Sequence, residues 1–581
     1  VQVGLLPPEV SLSSGIDPLC TESNKLPNIQ EMKYLLPLAA VICFFCACER
    51  EENAPVNTNI TIDSVFINGI FASNNSTVNG IDFANVEIRY RFNDKVDTSR
   101  FVKSKLAFTG ENDTLYSHHF SANGLNLLIR PLNPFLPLAS YRLSFDIGSN
   151  MGGRVMNQHT FVFRTKFDST PKFPLITDDE LLTLVQQQTF RYFWDYAHPV
   201  SGLARERFGS GETVTSGGSG FGLMAIIAGI ERNFITRQEG FERFQKIVNF
   251  LIHPNTDRFH GAFPHWLNGT SGKVIPFSTK DNGGDLVETA FLMQGLLTVK
   301  EYFKNGTTAE QALCDSIQKL YESVEWSWYR KNNENVLYWH WSPNYGWEMN
   351  HQIRGWNEAL IVYVLAAASP TYPIPKTVYD QGWARNGAFP MVNGKSFYNT
   401  ILPLGEDLGG PLFFAHYSFL GLDPGKITDQ YANYLTQNVA HAKINHQYCK
   451  ANPKKYLGYS KDCWGLTASD IQSGYTASSP TNDVGVIAPT AALSSFPFTP
   501  AESMDALKFF YYVLGDKLWG EYGFRDAFNL TSQWFAGSYL AIDQGPIVCM
   551  IENYRTGLLW NLFMANEDVL QGLNALGFQV E

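Results

Sequence analysis

The sequence predicts a mainly α chain: an (α/α)6 toroid preceded by a small antiparallel β-sandwich. Three observations carry that reading. Residues 58–167 alternate polar and apolar with a period of two, whereas from Thr177 onward the apolar period is helical. Helix starts in the second part are marked by repeated capping boxes. Several of the loops that enter the first helix of a pair carry carboxylates beside glycine: KDNGGD at 280–285, GWNE at 355–358, GEDLGG at 405–410 and IDQG at 542–545. If those helices alternate around a ring, the loops meet at one mouth.

The N-terminus reads as export machinery. From Met32, MKYLLPLAAVICFFCAC has a basic residue, an apolar run and small residues ending in Cys48, the pattern of a signal peptide over 32–48. The ending Phe45-Cys46-Ala47-Cys48 is similar to a lipobox, so Cys48 is the expected lipidated residue, with a tether over 49–57. Residues 1–31 are expected to be a mis-called extension ahead of Met32. These features predict an exported protein, lipid-anchored to the cell envelope (outer membrane or periplasm).

Segments ITIDSVFI, VEIRYRF, KLAFTG, LNLLIRP, YRLSFDI and HTFVFRT follow, with Asn-Gly at 68–69 and 79–80 and Asn-Pro at 133–134 between them. The pattern predicts the sandwich over 58–167 and resembles bacterial immunoglobulin-like domains. It carries no cluster of catalytic residue types, which makes it a spacer or structural prop.

Over 174–581, Thr177-x-x-Glu180, Thr236-x-x-Glu239, Thr307-x-x-Glu310 and Thr499-Pro500-x-Glu502 read as capping boxes. Apolar helices are expected at 221–230, 286–302 and 486–494, and others at 356–369, 376–386, 411–421, 430–452 and 546–575. That makes about twelve, enough for a ring of hairpins. An outer layer explains why the inner helices are apolar all round.

Composition narrows the function. A net charge of −11 and a pI near 5.6 exclude a nucleic-acid binder, which needs a basic face. Aromatics make up 14% of the chain, as suits either sugar stacking or a large core. Four cysteines lie beyond Cys48 (Cys314, Cys449, Cys463, Cys549), without metal-ligand spacing; a Cys449–Cys463 disulfide is open but not required. No cofactor or metal is indicated, and a monomer is expected.

Acids gathered on one rim point to glycosidic bond cleavage, which needs a carboxylic acid to protonate the leaving oxygen and a second carboxylate. Asp281 has no capping role, and its neighbouring glycines allow close backbone approach. Asp285 fits N-capping as well as catalysis. Glu358 precedes a wholly apolar helix, at the edge of the core, where a carboxyl pKa rises toward that of a general acid. Asp543 opens IVCMIENYRTGLLW, with Glu552 further in and Arg555 as its expected partner. His351, Gln352 and Arg354 suit hydroxyl recognition; Asp407, His416 and the rim aromatics Trp266, Trp341, Trp347 and Phe413 complete the candidate sugar contacts.

The runs TFRYFWDYAHP, TSGGSGFGLMAIIAGIERNFI, STKDNGGDLVETAFLMQGLL, IRGWNEALIVYVLA, GPLFFAHYSFLGLDP and DQGPIVCMIENYRTGLLW resemble the bacterial glycoamylase-like domain of glycoside hydrolase family 144. The resemblance covers essentially all of 177–581. It implies an (α/α)6 barrel, cleavage of β-1,2-glucan internally or with release of sophorose, and the acids Asp281, Asp285, Glu358 and Asp543. On this reading Glu358 is the general acid of an inverting hydrolase, with Asp543 or Asp285 positioning the water or binding at subsite −1. The alternatives are a glycan-binding surface lipoprotein without catalysis, or a glucoamylase-like enzyme on another glucan. A polysaccharide lyase would need a cationic cleft, and this rim is acidic.

Overall fold

The computed structural model describes residues 59–101, 106–109, 115–146 and 153–581. The extension 1–31, the signal peptide 32–48 with Cys48, and the tether 49–57 lie outside the described residues.

The N-terminal strands are β1 (Asn59–Ile60), β2 (Ile62–Ile67), β3 (Ile70–Phe71), β4 (Thr77–Ile81), β5 (Ile88–Phe92), β6 (Leu106–Thr109), β7 (Tyr116–Phe120), β8 (Asn126–Pro131), β9 (Ser140–Phe145), β10 (Arg154–Val155) and β11 (His159–Thr165). They form a five-stranded sheet in the order β3-β2-β5-β8-β7 and a four-stranded sheet in the order β4-β11-β9-β6. Alternation decides which face is inward: in β5, Ile88, Tyr90 and Phe92 are buried while Arg89 and Arg91 are exposed. Val65, Ile67, Leu127 and Ile129 of one sheet share a core with Leu143, Phe145, Phe161 and Phe163 of the other. Most pairs are antiparallel, but β4 runs parallel to β11, because the chain crosses after β3 and joins the second sheet beside its last strand.

The helices are α1 (Asp178–Trp194), α2 (Ser216–Glu231), α3 (Arg237–Ile252), α4 (Leu286–Phe303), α5 (Thr308–Glu322), α6 (Leu360–Ala368), α7 (Lys376–Val378, continued by a π turn at Tyr379–Trp383), α8 (Tyr434–Ala451), α9 (Pro489–Leu493), α10 (Pro500–Lys508, continued by a π turn at Phe509–Val513), α11 (Gly515–Leu518), α12 (Ala541–Thr556), α13 (Leu558–Phe563) and α14 (Glu567–Leu576). The inner wall is α2, α4, α6, the 3-10 turns Leu412–Ala415 and Ser418–Leu420, α9 and α12. Every residue of α6 and of α9 is buried. By contrast, α3 buries one stripe, Phe241, Phe244, Ile247, Val248 and Leu251, as an outer helix should. Each inner element is followed by an outer one, so all inner elements run the same way and their N-terminal ends share one mouth.

Capping boxes with both hydrogen bonds are present at Thr177, Thr236 and Thr307. The fourth differs. Thr499 makes no side-chain cap, since its hydroxyl is engaged with the Ser495 carbonyl and the Ser503 hydroxyl. The helix expected over 411–421 is a pair of 3-10 turns tied to α6 by Ser418, whose Oγ donates to the Glu358 carbonyl and accepts from the Ile361 N–H. The helix expected over 546–575 starts earlier and is broken at Gly557, which caps α12 with φ 69°.

Packing is closest where α2 crosses α4. A Cβ on Gly220 would lie 2.0 Å from the Phe291 carbonyl oxygen, which is backbone and cannot swing away. Gly220→Ala is therefore expected to cost about 3 kcal/mol through forced separation of the helices, seen as a lower urea midpoint at unchanged m-value. The four described cysteines are free and buried, so the Cys449–Cys463 bond is absent. Among the described residues, no helix is long and apolar enough to cross a membrane.

The sandwich touches the barrel at a specific place. Arg164 Nη1 of β11 donates to the Thr531 carbonyl at 2.6 Å, and Gln533 Nε2 donates to the Ala139 carbonyl at 3.0 Å.

Candidate active site

The loop before α4 holds the densest charge cluster. Asp285 is wholly buried and N-caps α4 through Oδ1, which accepts from the Val287 and Glu288 N–H groups at 3.0 Å. Its Oδ2 meets His265 Nδ1 at 3.0 Å and lies 3.7 Å from His340 Nε2. His340 Nε2 is also 3.4 Å from Asp281 Oδ2. Glu288, one turn into α4, accepts from the Gly217 N–H at the start of α2 at 2.8 Å and lies 4.0 Å from His265 Nε2.

These groups set each other's protonation. Burial alone would make His265 harder to protonate, but the charges of Glu288, Asp285 and Asp281 push it up to about 10, so it is an imidazolium. Burial and the Asp285 charge raise Asp281 to about 7. For Asp285, burial is outweighed by the His265 hydrogen bond and the His340 and His265 fields, leaving its pKa lowered. His340, buried, falls to about 4. Ligand atoms of His265, Asp281 and Asp285 lie within 4.8 Å of one another, a spacing a cation could use; the proton between His265 and Asp285 already supplies the positive charge there.

Glu358 stands at the entry to α6, half-buried at the mouth. It does not cap its helix, whose first turn takes no side-chain bond at its N-cap. Enclosure raises its pKa to about 8, with smaller contributions from Glu288 and Asp285, so it holds its proton at neutral pH.

Across the mouth, Asp543 lies in the first turn of α12 and is 2% exposed. Burial and the neighbouring Asp526 carboxyl hold its pKa well above the ordinary value. Asp526, raised to about 7 by burial and by Asp470, accepts from the Asp470 N–H at 2.7 Å. Arg207 Nη1 grips Asp470 at 3.1 and 3.2 Å, and its Nε holds Glu206 at 3.0 Å. Arg207, Asp470, Tyr475, Trp534 and Ser538 line a cavity of about 500 Å³.

Tyr417, from the inner wall, connects the two sides. Its buried phenol feels Asp543, Glu358 and Glu288 together, and Phe413 packs on its ring at 5.2 Å. The structure thus brings Asp281, Asp285, Glu358 and Asp543 to the mouth formed by the N-terminal ends of inner helices, where helix dipoles favour negative charge.

The remaining predicted contacts divide. Trp266 packs on Phe277 at 4.8 Å and edges His265, and His351 stacks on Trp339 at 4.9 Å within reach of the Asp285 charge. Trp341 pairs with Gly284 beside the acids, while Trp347 joins Trp328, Tyr329 and Tyr338 in an aromatic group. Others are committed elsewhere or face solvent. Gln352 donates to the Tyr338 hydroxyl at 2.7 Å, and Arg354 is exposed. Asp407 pairs with Lys395 at 2.8 Å. His416 is a core histidine, bonded to Ser495 at 3.0 Å and pushed down to about 3 by burial. Glu552, two to three turns below the mouth, is held by Arg232 at 2.7 and 3.0 Å rather than by Arg555, which reaches Asp179 and Gln186 on α1. His416 and Glu552 are therefore buried and bonded within the wall rather than open to the mouth.

Sequence reasoning passed over His265, Glu288, His340, Tyr417, Arg207, Asp470 and Asp526. His265 and His340 sit in the aromatic loops HGAFPHW and YWHWSPNYGW, whose density of rings was their visible signal.

The glycoamylase family model matches residues 350–567. An endo-β-1,2-glucanase from Chitinophaga pinensis, solved with sophorotriose and glucose, is 54% identical over 70% of this chain and 99% of that one, with a TM-score of 0.68. A β-1,2-glucanase from Parabacteroides distasonis is 41% identical over 87% of this chain and 73% of that one, also with a TM-score of 0.68. The exo β-1,2-glucooligosaccharide sophorohydrolase (non-reducing end) of Parabacteroides distasonis is 49% identical over 428 residues, 70% of this chain; the match spans 59% of that curated relative's length. Near-complete coverage of a solved relative at this identity, together with the carboxylate-lined mouth of a helical toroid, shows that the chain belongs to the glycoamylase-like family of bacterial glycoside hydrolases, family 144.

Proposed function

We propose that the chain hydrolyses β-1,2-glucan with inversion at the anomeric carbon. The observation that carries this is Glu358: a carboxyl open to the cleft, protonated at neutral pH, with a second acid group across Tyr417. Glu358 protonates the glycosidic oxygen as the bond's electron pair moves onto it. Asp543 takes a proton from the water that attacks the anomeric carbon from the other face. Asp285, with both oxygens engaged, fixes His265 and the start of α4, and the net negative cluster stabilises positive charge developing on the sugar ring.

Incubation with linear β-1,2-glucan, laminarin and starch, read by thin-layer chromatography, tests the substrate. Sophorose or its higher homologues should form from the first alone; products from starch only would overturn the reading. Proton NMR of the first product gives its anomer. Because Glu358 must be protonated to act, kcat is expected to fall as pH rises through about 8, and a stopped pH series measures this limb.

We also propose that the chain is exported and lipid-anchored through Cys48, and acts as a monomer. Palmitate labelling of cells expressing the wild type and Cys48→Ser tests the anchor; equal labelling would discard it.

A further inference from the structure

The wall around Asp543 contains buried atoms that ordinary pairing leaves unexplained. Asp543 Oδ1 and Oδ2 and Asp526 Oδ1 are all buried without a donor. A buried carboxylate oxygen without a partner is costly, and three in one place would be untenable if both groups were ionised. Asp526 is fixed at its other oxygen by the Asp470 N–H at 2.7 Å. Asp470 is itself clamped by Arg207 at 3.1 and 3.2 Å and by the Ser538 hydroxyl. Asp526 and Asp543 lie within side-chain hydrogen-bonding reach of each other, which leaves Asp526 Oδ1 as the atom that can share a proton with Asp543.

We propose that Asp526 is a positioning residue for hydrolysis: it shares one proton with Asp543, so that the pair carries a single negative charge, which is drawn onto Asp543 as the attacking water gives up its proton. This rests on the assignment of Asp543 made above and names the group that tunes it. The balance is simple. Before reaction the pair holds one proton and one negative charge. The attacking water gives its proton to Asp543 as its oxygen bonds to the anomeric carbon, so the pair then holds two, and one leaves to solvent through the cleft. Both carboxyls belong to the pair, which titrates as a unit. The charged and titratable groups facing it are Asp470 and Arg207 on one side and the Tyr417 and Tyr475 phenols on the other. Arg207 is balanced by Glu206 and Asp470, so it does not remove the need for a shared proton.

The test separates a proton donor from a structural filler. Asp526→Leu keeps the branched shape but cannot share a proton, so Asp543, left buried alone, becomes harder to ionise than the pair. The acid limb of the kcat profile on β-1,2-glucan should move up by about one pH unit or more. Asp526→Asn replaces the shared proton with an amide N–H and should keep the limb at or below its wild-type position. Equal limbs in both variants, or a loss of rate without movement in Asp526→Leu, would overturn the proposal. An infrared measurement guards against failure of the leucine variant to fold. At neutral pH the wild type should show a carboxylic C=O band that is missing in Asp543→Asn, and an unchanged band would equally overturn it. Wild-type protein that releases no sugar would instead sink the proposed function, and the infrared result would still decide whether the proton is shared.

Discussion

Glu358→Gln is expected to lower kcat on β-1,2-glucan by about 10³-fold with little change in KM, since a general acid contributes about 10²–10⁴. The amide matches the carboxyl in size, and Glu358 neither caps α6 nor bonds a neighbouring side chain, so far-UV circular dichroism and the melting temperature should not move. The alkaline limb near pH 8 should vanish with the residue that causes it. A substrate with a good leaving group, such as an aryl sophoroside, needs less protonation and should be affected less. Turnover within a few-fold of wild type would remove Glu358 from the acid role.

The second large effect is on stability. Arg232→Ala would leave Glu552, 1% exposed, without its main counter-charge. Breaking a buried pair from one side costs about 3–5 kcal/mol, and Gln186 and Thr556, which also bond Glu552, argue for the lower end. The pH dependence follows from direction. Burial alone would raise the Glu552 pKa, but bonds from Arg232, Thr556 and Gln186 leave it below its ordinary 4.5. Its contribution is therefore complete above that unfolded value and lost as pH falls through the folded one. Urea midpoints should differ strongly between wild type and variant at neutral pH and converge in acid. A paired replacement, Arg232→Met with Glu552→Leu, should recover most of the loss.

The ring was legible because its signals are local. Thr177, Thr236 and Thr307 announce helices within four residues, and the glycine–carboxylate loops mark four of the six inner elements. The inner wall at 411–421 was less so: its apolar composition fits a helix, while the tie from Ser418 to α6 that breaks it into 3-10 turns is a tertiary contact. Asp281, Asp285, Glu358 and Asp543 could be found because each sits where a helix begins. Asp470 and Asp526 could not, since they come from short hairpins near Ala468–Ile471 and Gly523–Phe524 with no periodicity to betray them. Glu552 misled for a related reason: Arg555 is its neighbour along the chain, whereas the true partner is more than three hundred residues away. Depth inside a packed wall is invisible to spacing, and it is depth that turned His416 and Glu552 into scaffold.

The two hydrogen bonds that join the sandwich to the barrel, from Arg164 of β11 to the Thr531 carbonyl and from Gln533 to the Ala139 carbonyl just before β9, bear on how such a chain can be re-engineered. The segment they grip continues directly into Trp534 and Ser538, which line the cavity with Arg207 and Asp470, and the turn of the hairpin formed by Ala468–Ile471 and Gly474–Ala477 is latched to the same segment through Gln472 and Ser532. Trimming the first 170 residues would therefore unfasten one bank of that cavity. Grafting a foreign immunoglobulin-like module would need to reproduce an arginine and a carbonyl at those two stations to keep that bank in place.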